Sequence, residues 1–71
     1  MDIKSEMDAN VWKIEVTVGD RVAQDQTLMI LESMKMEIPV VAPATGVVRS
    51  IQTEEGASVA EDDVLLTLDQ E

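Results

Sequence analysis

The residue with the clearest chemical promise is Lys35, in the run Glu32-Ser33-Met34-Lys35-Met36-Glu37. A lysine amine becomes a nucleophile once it loses its proton, and its four-carbon stem gives it reach. Methionine stands on each side, offering polarizable, adaptable contact. The other usual routes to chemistry are closed. The 71 residues include no cysteine and no histidine, so there is no thiolate, no disulfide and no imidazole proton shuttle or metal ligand. Fifteen carboxylates make some acid–base pair conceivable, but none has a spacing that compels the idea. No catalytic residue and no metal ligand are therefore expected.

Around Lys35 the sequence reads as a hairpin. Leu28 to Leu31 precedes the run and Ile38 to Val41 follows it, each short, apolar and partly β-branched. Met34 and Lys35 fall at the turn. A tight hairpin normally places Asn-Gly, Asp-Gly or another glycine pair there, because the backbone needs positive φ. A local rule broken in this way often marks function. The bland alternative is that Met34 and Met36 end their strands and cap the core, while Lys35 is only a solvated charge. The residue pattern by itself leaves both readings open.

The elements that must position this hairpin are strands. Further short runs lie at Val11 to Val18, Val47 to Ile51 and Val64 to Leu68, separated by Gly19-Asp20, Asp25-Gln26, Pro43 to Gly46, Glu55-Gly56 and Glu61 to Asp63. No window of helical length sustains a 3.6-residue apolar period. The chain also repeats itself. A shift of 37 residues lays Val11–Leu31 on Val48–Leu68 without a gap. Identical pairs are Val11/Val48, Ile14/Ile51, Gly19/Gly56, Val22/Val59, Ala23/Ala60, Asp25/Asp62, Leu28/Leu65 and Leu31/Leu68. The glycines are expected where the backbone needs positive φ. Neither half is large enough for its own core, so the two should interlock about a pseudo-two-fold axis. Residues 1–71 are expected to form one domain. The expected fold is all-β: a flattened barrel or sandwich of two roughly four-stranded, mainly antiparallel sheets. Trp12, the lone aromatic residue, reads as a partly buried edge contact.

Acidic residues outnumber basic ones by 15 to 5, for a net charge of −10. Phosphate repulsion argues against nucleic acid, and the same sign argues against anionic membrane surfaces. The first residues, Met1 to Glu6, lack the apolar core of a secretory signal. No apolar stretch approaches the ~20 residues of a membrane span. A cytoplasmic, monomeric protein is the expectation.

Glu32-Ser33-Met34-Lys35-Met36-Glu37 resembles the attachment motif of the biotinyl domain family, of the biotin carboxyl carrier type. Val18-Gly19-Asp20-Arg21-Val22, Ala42-Pro43-Ala44-Thr45-Gly46-Val47-Val48 and Glu55-Gly56-Ala57-Ser58-Val59 resemble its flanking segments. The resemblance runs from about Ile3 to Leu68. Two departures stand out: Asp25 and Asp62 occupy turns where the family commonly has glycine, and no protruding segment separates the halves. Asp tolerates left-handed backbone better than most residues. The resemblance implies a non-catalytic carrier on which a biotin protein ligase joins biotin to Lys35 as an amide. A biotin carboxylase would then carboxylate the biotin, and a carboxyltransferase would pass the carboxyl group on. Met34 and Met36 would be read by the ligase and partners, and Glu32 and Glu37 could steer docking. An exposed lysine is a cation at neutral pH, so the ligase must remove the proton. Two other readings compete. Lipoyl carriers share the strand pattern but usually show Asp-Lys-Ala at the hairpin. An unmodified carrier-like interaction module would bear no adduct.

Overall fold

In a computed structural model of the chain, residues 1–70 are described. They form eight strands: β1 (Asp2–Lys4), β2 (Ala9–Ile14), β3 (Arg21–Val22), β4 (Thr27–Ser33), β5 (Met36–Val41), β6 (Gly46–Ile51), β7 (Ser58–Val59) and β8 (Val64–Gln70). No helix occurs among the described residues. The strands make two four-stranded antiparallel sheets, ordered β1-β8-β6-β3 and β5-β4-β2-β7.

These orders are the sequence repeat made visible. Adding 37 to the numbers of β1, β2, β3 and β4 lands on β5, β6, β7 and β8, so one sheet maps onto the other strand for strand. Each sheet takes two strands from each half. The loop hydrogen bonds follow the same rule. Val11 N–H donates to Ala57 C=O and Val48 N–H to Asp20 C=O, both at 2.8 Å. Gly19 N–H donates to Val48 C=O and Gly56 N–H to Val11 C=O, also at 2.8 Å. The halves are therefore interlocked by backbone bonds that neither could make alone.

Turn chemistry repeats as well. Gly19 and Gly56 have φ of 96° and 88°, where a side chain would be strained. Asp25 and Asp62 sit at 70° and 73°. These are the two turns where the family resemblance leads glycine to be expected, and Asp holds the left-handed geometry there.

The core lies between the sheets. Val11, Leu28, Met29, Leu31 and Val59 of one sheet face Val22, Val48, Leu65, Leu66 and Leu68 of the other, all buried. Adjacent residues are buried at Leu28-Met29 and at Leu65-Leu66 because a bulge interrupts each edge ladder there, between Thr27 and Met29 and opposite Ile3/Lys4. Two details depart from the sequence reading. The run from Val11 to Val18 is not one strand: β2 ends at Ile14, Val16 is buried in the following loop, and Val18 is 61% exposed. The two-residue strands β3 and β7 were too short for alternation to reveal.

Candidate functional site

The β4–β5 hairpin carries the run singled out by sequence. Ser33 pairs with Met36, leaving a two-residue turn of Met34 and Lys35. Their φ values are 52° and 66°. Positive φ at both central residues is the type I′ arrangement, which matches the right-handed twist of the flanking strands. Here it is built from two residues with long side chains. Left-handed backbone costs such residues about 1 kcal/mol each, so β4 and β5 hold the turn against its own preference.

The geometry projects the motif outward. Met34 is 89% exposed and Met36 60%, and Lys35 is exposed. The methionines therefore do not cap the core, and the bland reading of them fails. Lys13 pairs with Glu15 and Arg49 with Asp69, both away from the turn. Nothing among the described residues fastens the Lys35 ammonium. The turn is anchored beneath the lysine instead: Ser33 Oγ–H donates to the Asp8 carbonyl at 3.2 Å, tying the end of β4 to the loop before β2. Asp8 also accepts from Glu61 N–H at 2.9 Å through its carboxylate, linking the hairpin base to the loop before β8. Sequence reasoning passed over Asp8, since nothing in its neighbours signals a contact 25 residues away.

Glu32 and Glu37 come together. They pair directly across β4 and β5, one step below the turn, and both are exposed. Like charges directly opposite one another weaken a sheet. Asn10 lies opposite Glu32 on β2, and Ser58 opposite Asn10 on β7, where Ser58 Oγ–H donates to Asn10 Oδ1 at 2.9 Å. A polar row thus crosses the whole sheet beneath Lys35. Trp12 lies on β2 in a bulge between Val11 and Lys13, beyond the Ala9–Asn10 stretch that pairs with β7, and is 49% exposed.

The site is a protrusion rather than a cleft. A broad depression lies elsewhere, lined by Asp2, Ile51, Glu54, Ser58, Asp63 and Thr67. Among the described residues, no group of three or more His, Cys, Asp or Glu is placed to hold a metal ion. No helix of the described residues is long and apolar enough to cross a membrane.

A family model described as biotin-requiring enzyme matches residues 2–68. The chain belongs to the biotin/lipoyl family. Within that family it is similar to a biotin/lipoyl attachment protein of Bacillus subtilis, at 47% identity over 96% of this chain and 93% of the relative. It is also similar to a biotin carboxyl carrier protein of Streptococcus mutans, at 44% identity over 87% of this chain and 48% of that protein. Among solved structures it superposes on the lipoyl domain of the 2-oxoglutarate dehydrogenase complex from Azotobacter vinelandii. The TM-score is 0.85 at 28% identity, covering 99% of this chain and 96% of that domain. The family fold is thus the two-sheet sandwich described above.

Proposed function

We propose that the chain is a biotin carboxyl carrier whose Lys35 is joined to biotin by a biotin protein ligase. One observation carries the proposal: the lysine of Met-Lys-Met stands exposed at a two-residue turn with positive φ at both positions. The residues present fit such a group. A covalent arm needs a free amine, room on every side and a rigid base, and the hairpin offers all three.

In the attachment step a bond forms between Lys35 Nζ and the biotin carboxyl carbon. The leaving group of the activated carboxyl departs, and the ligase takes the proton that the ammonium must lose. The carrier contributes no base of its own. When bound, biotin supplies the carboxyl-carrying chemistry. Lys35 holds it at the end of a flexible stem, and the stiff β4–β5 hairpin fixes where that stem begins. Tethering of this kind keeps the group near its partner sites at high effective concentration. Met34 and Met36 present adaptable contacts to the ligase and to carboxylase and carboxyltransferase partners. Glu32 and Glu37 add a local negative field that favours basic partners. The carrier itself performs no turnover. Residues 1–71 act as one domain, in the cytoplasm and as a monomer.

The test is the mass of the protein after incubation with a biotin protein ligase, biotin and ATP. Wild type should gain one biotinyl group on Lys35, while Lys4 and Lys13 stay bare. Lys35→Ala should gain nothing. A biotinyl adduct on Lys35→Ala, or none on wild type, overturns the assignment. In cells holding both ligases, a lipoyl adduct alone on Lys35 would move the protein to the lipoyl branch of its family.

A further inference from the structure

The two sheets share one backbone plan, yet their outer faces are finished differently. In the sheet that bears the hairpin, Trp12 occupies the β2 bulge, Ile30 lies opposite Lys13, and Pro39 lies opposite Ile30. Trp12 and Pro39 are exposed. Ile30 is half-buried but does not pack against the core cluster. In the other sheet the matching positions hold Arg49, Thr67 and Asp2. Those three are satisfied locally: Arg49 pairs with Asp69 at 3.3 Å, and Thr67 Oγ1–H donates to the Asp2 carboxylate at 3.5 Å. Lys13 shares this row and pairs with Glu15 at 3.9 Å, so the face is mixed; its apolar members Trp12, Ile30 and Pro39 nevertheless have polar counterparts on the matching backbone, and folding does not demand them. Apolar groups gathered on one face, where the matching backbone carries polar ones, suit a contact surface.

The apolar row also sits on the side of the lysine. On the outer face the row Asn10, Glu32, Glu37 lies between it and the turn. The Ile30–Pro39 pair is three residues below the closing pair Ser33–Met36, about 10 Å along the strands.

We propose that this face docks the ligase that acylates Lys35, an inference that rests on the attachment reading above. The occupant follows from reach. A ligase must bring its reacting atoms within bonding distance of Nζ, so it must cover the hairpin and the first rows of its strands. A carboxylase meets the far end of the finished arm and need touch the carrier no further down than the turn and its methionines. The chemistry of the occupant follows from the face. It needs an apolar centre to receive Trp12, Ile30 and Pro39, and basic residues at its margin to meet Glu32 and Glu37 on a chain of net charge −10.

The repeat supplies the variants. Trp12→Arg with Ile30→Thr installs side chains that the same backbone already carries in the other sheet; Trp12→Arg alone serves if the pair melts early. Biotinylation kinetics with a purified biotin protein ligase should show KM for the carrier rising roughly tenfold, with kcat within about twofold. The reciprocal Arg49→Trp with Thr67→Ile should leave KM unchanged. Binding is read separately from turnover in Lys35→Ala carrying 5-fluorotryptophan at position 12. Adding the ligase should shift its fluorine resonance. An unchanged KM in a folded variant, or an unmoved resonance, overturns the docking face while wild-type biotinylation still supports attachment. Weaker carboxylase binding with unchanged ligase KM likewise overturns it. A wild-type carrier that takes no biotin removes both.

Discussion

At the scale of single residues, the informative pair is Met34 and Lys35. Each stands in a backbone region that glycine or asparagine occupies more cheaply, and neither gains burial in return. Stability and exposure of the amine therefore pull in opposite directions here. Replacing the pair with Asn-Gly should raise the stability of the domain by about 1–2 kcal/mol. In a thermal melt that is a gain of several degrees for a chain of this length. The same variant should gain no mass with ligase, having lost its acceptor. A melt no higher than wild type would mean that the turn is not strained. The sequence carried this clearly, since the absence of glycine from a hairpin turn is visible without coordinates. What it left open was the fate of Met34 and Met36, which depended on whether the turn lies over the core or beyond it.

At the scale of elements, the strands are held by register and close backbone approach. Glu32 and Glu37 were named from the motif, but their direct pairing is a property of the β4–β5 register. Turning one into lysine creates an opposite-charge pair. Glu37→Lys should stabilise the hairpin by a few tenths of a kcal/mol, seen as a small rise in the urea midpoint, while slowing ligase association at low salt. Gly46, at the start of β6, shows a different need. A Cβ there would meet the backbone carbonyl of Asp69 on β8. Its repeat counterpart, Ala9, tolerates a side chain. Gly46→Ala should therefore cost about 1–3 kcal/mol, read as a lower urea midpoint, through crowding rather than through dihedral freedom.

At the scale of the whole molecule, two halves share one core. Leu28 and Leu65 are related by the repeat, both fully buried, each at the bulge of its edge ladder. Truncation of either to alanine should cost about 2–5 kcal/mol. The two costs should agree closely, because each cavity opens into the same interlocked core. Urea unfolding followed by circular dichroism would measure both. A large difference would mean that the halves contribute unequally despite their matching orders. Against a total stability of roughly 5–15 kcal/mol, either loss is a large fraction, as expected where so short a chain buries a thin core.

By itself the sequence determined the fold class, the interlocking of the halves, the hairpin and Lys35 at its turn. Each of these rests on local pattern: alternation, turn residues, and a repeat whose register needs no gap. Tertiary structure alone decided that β2 stops at Ile14, that two-residue strands exchange between the sheets, that Asp8 braces the hairpin, and that Trp12 opens outward beside Ile30 and Pro39. The physical reason is range. Periodicity tells which residues turn away from water, but side chains meet across strands distant in sequence, and only the register of those strands places them together.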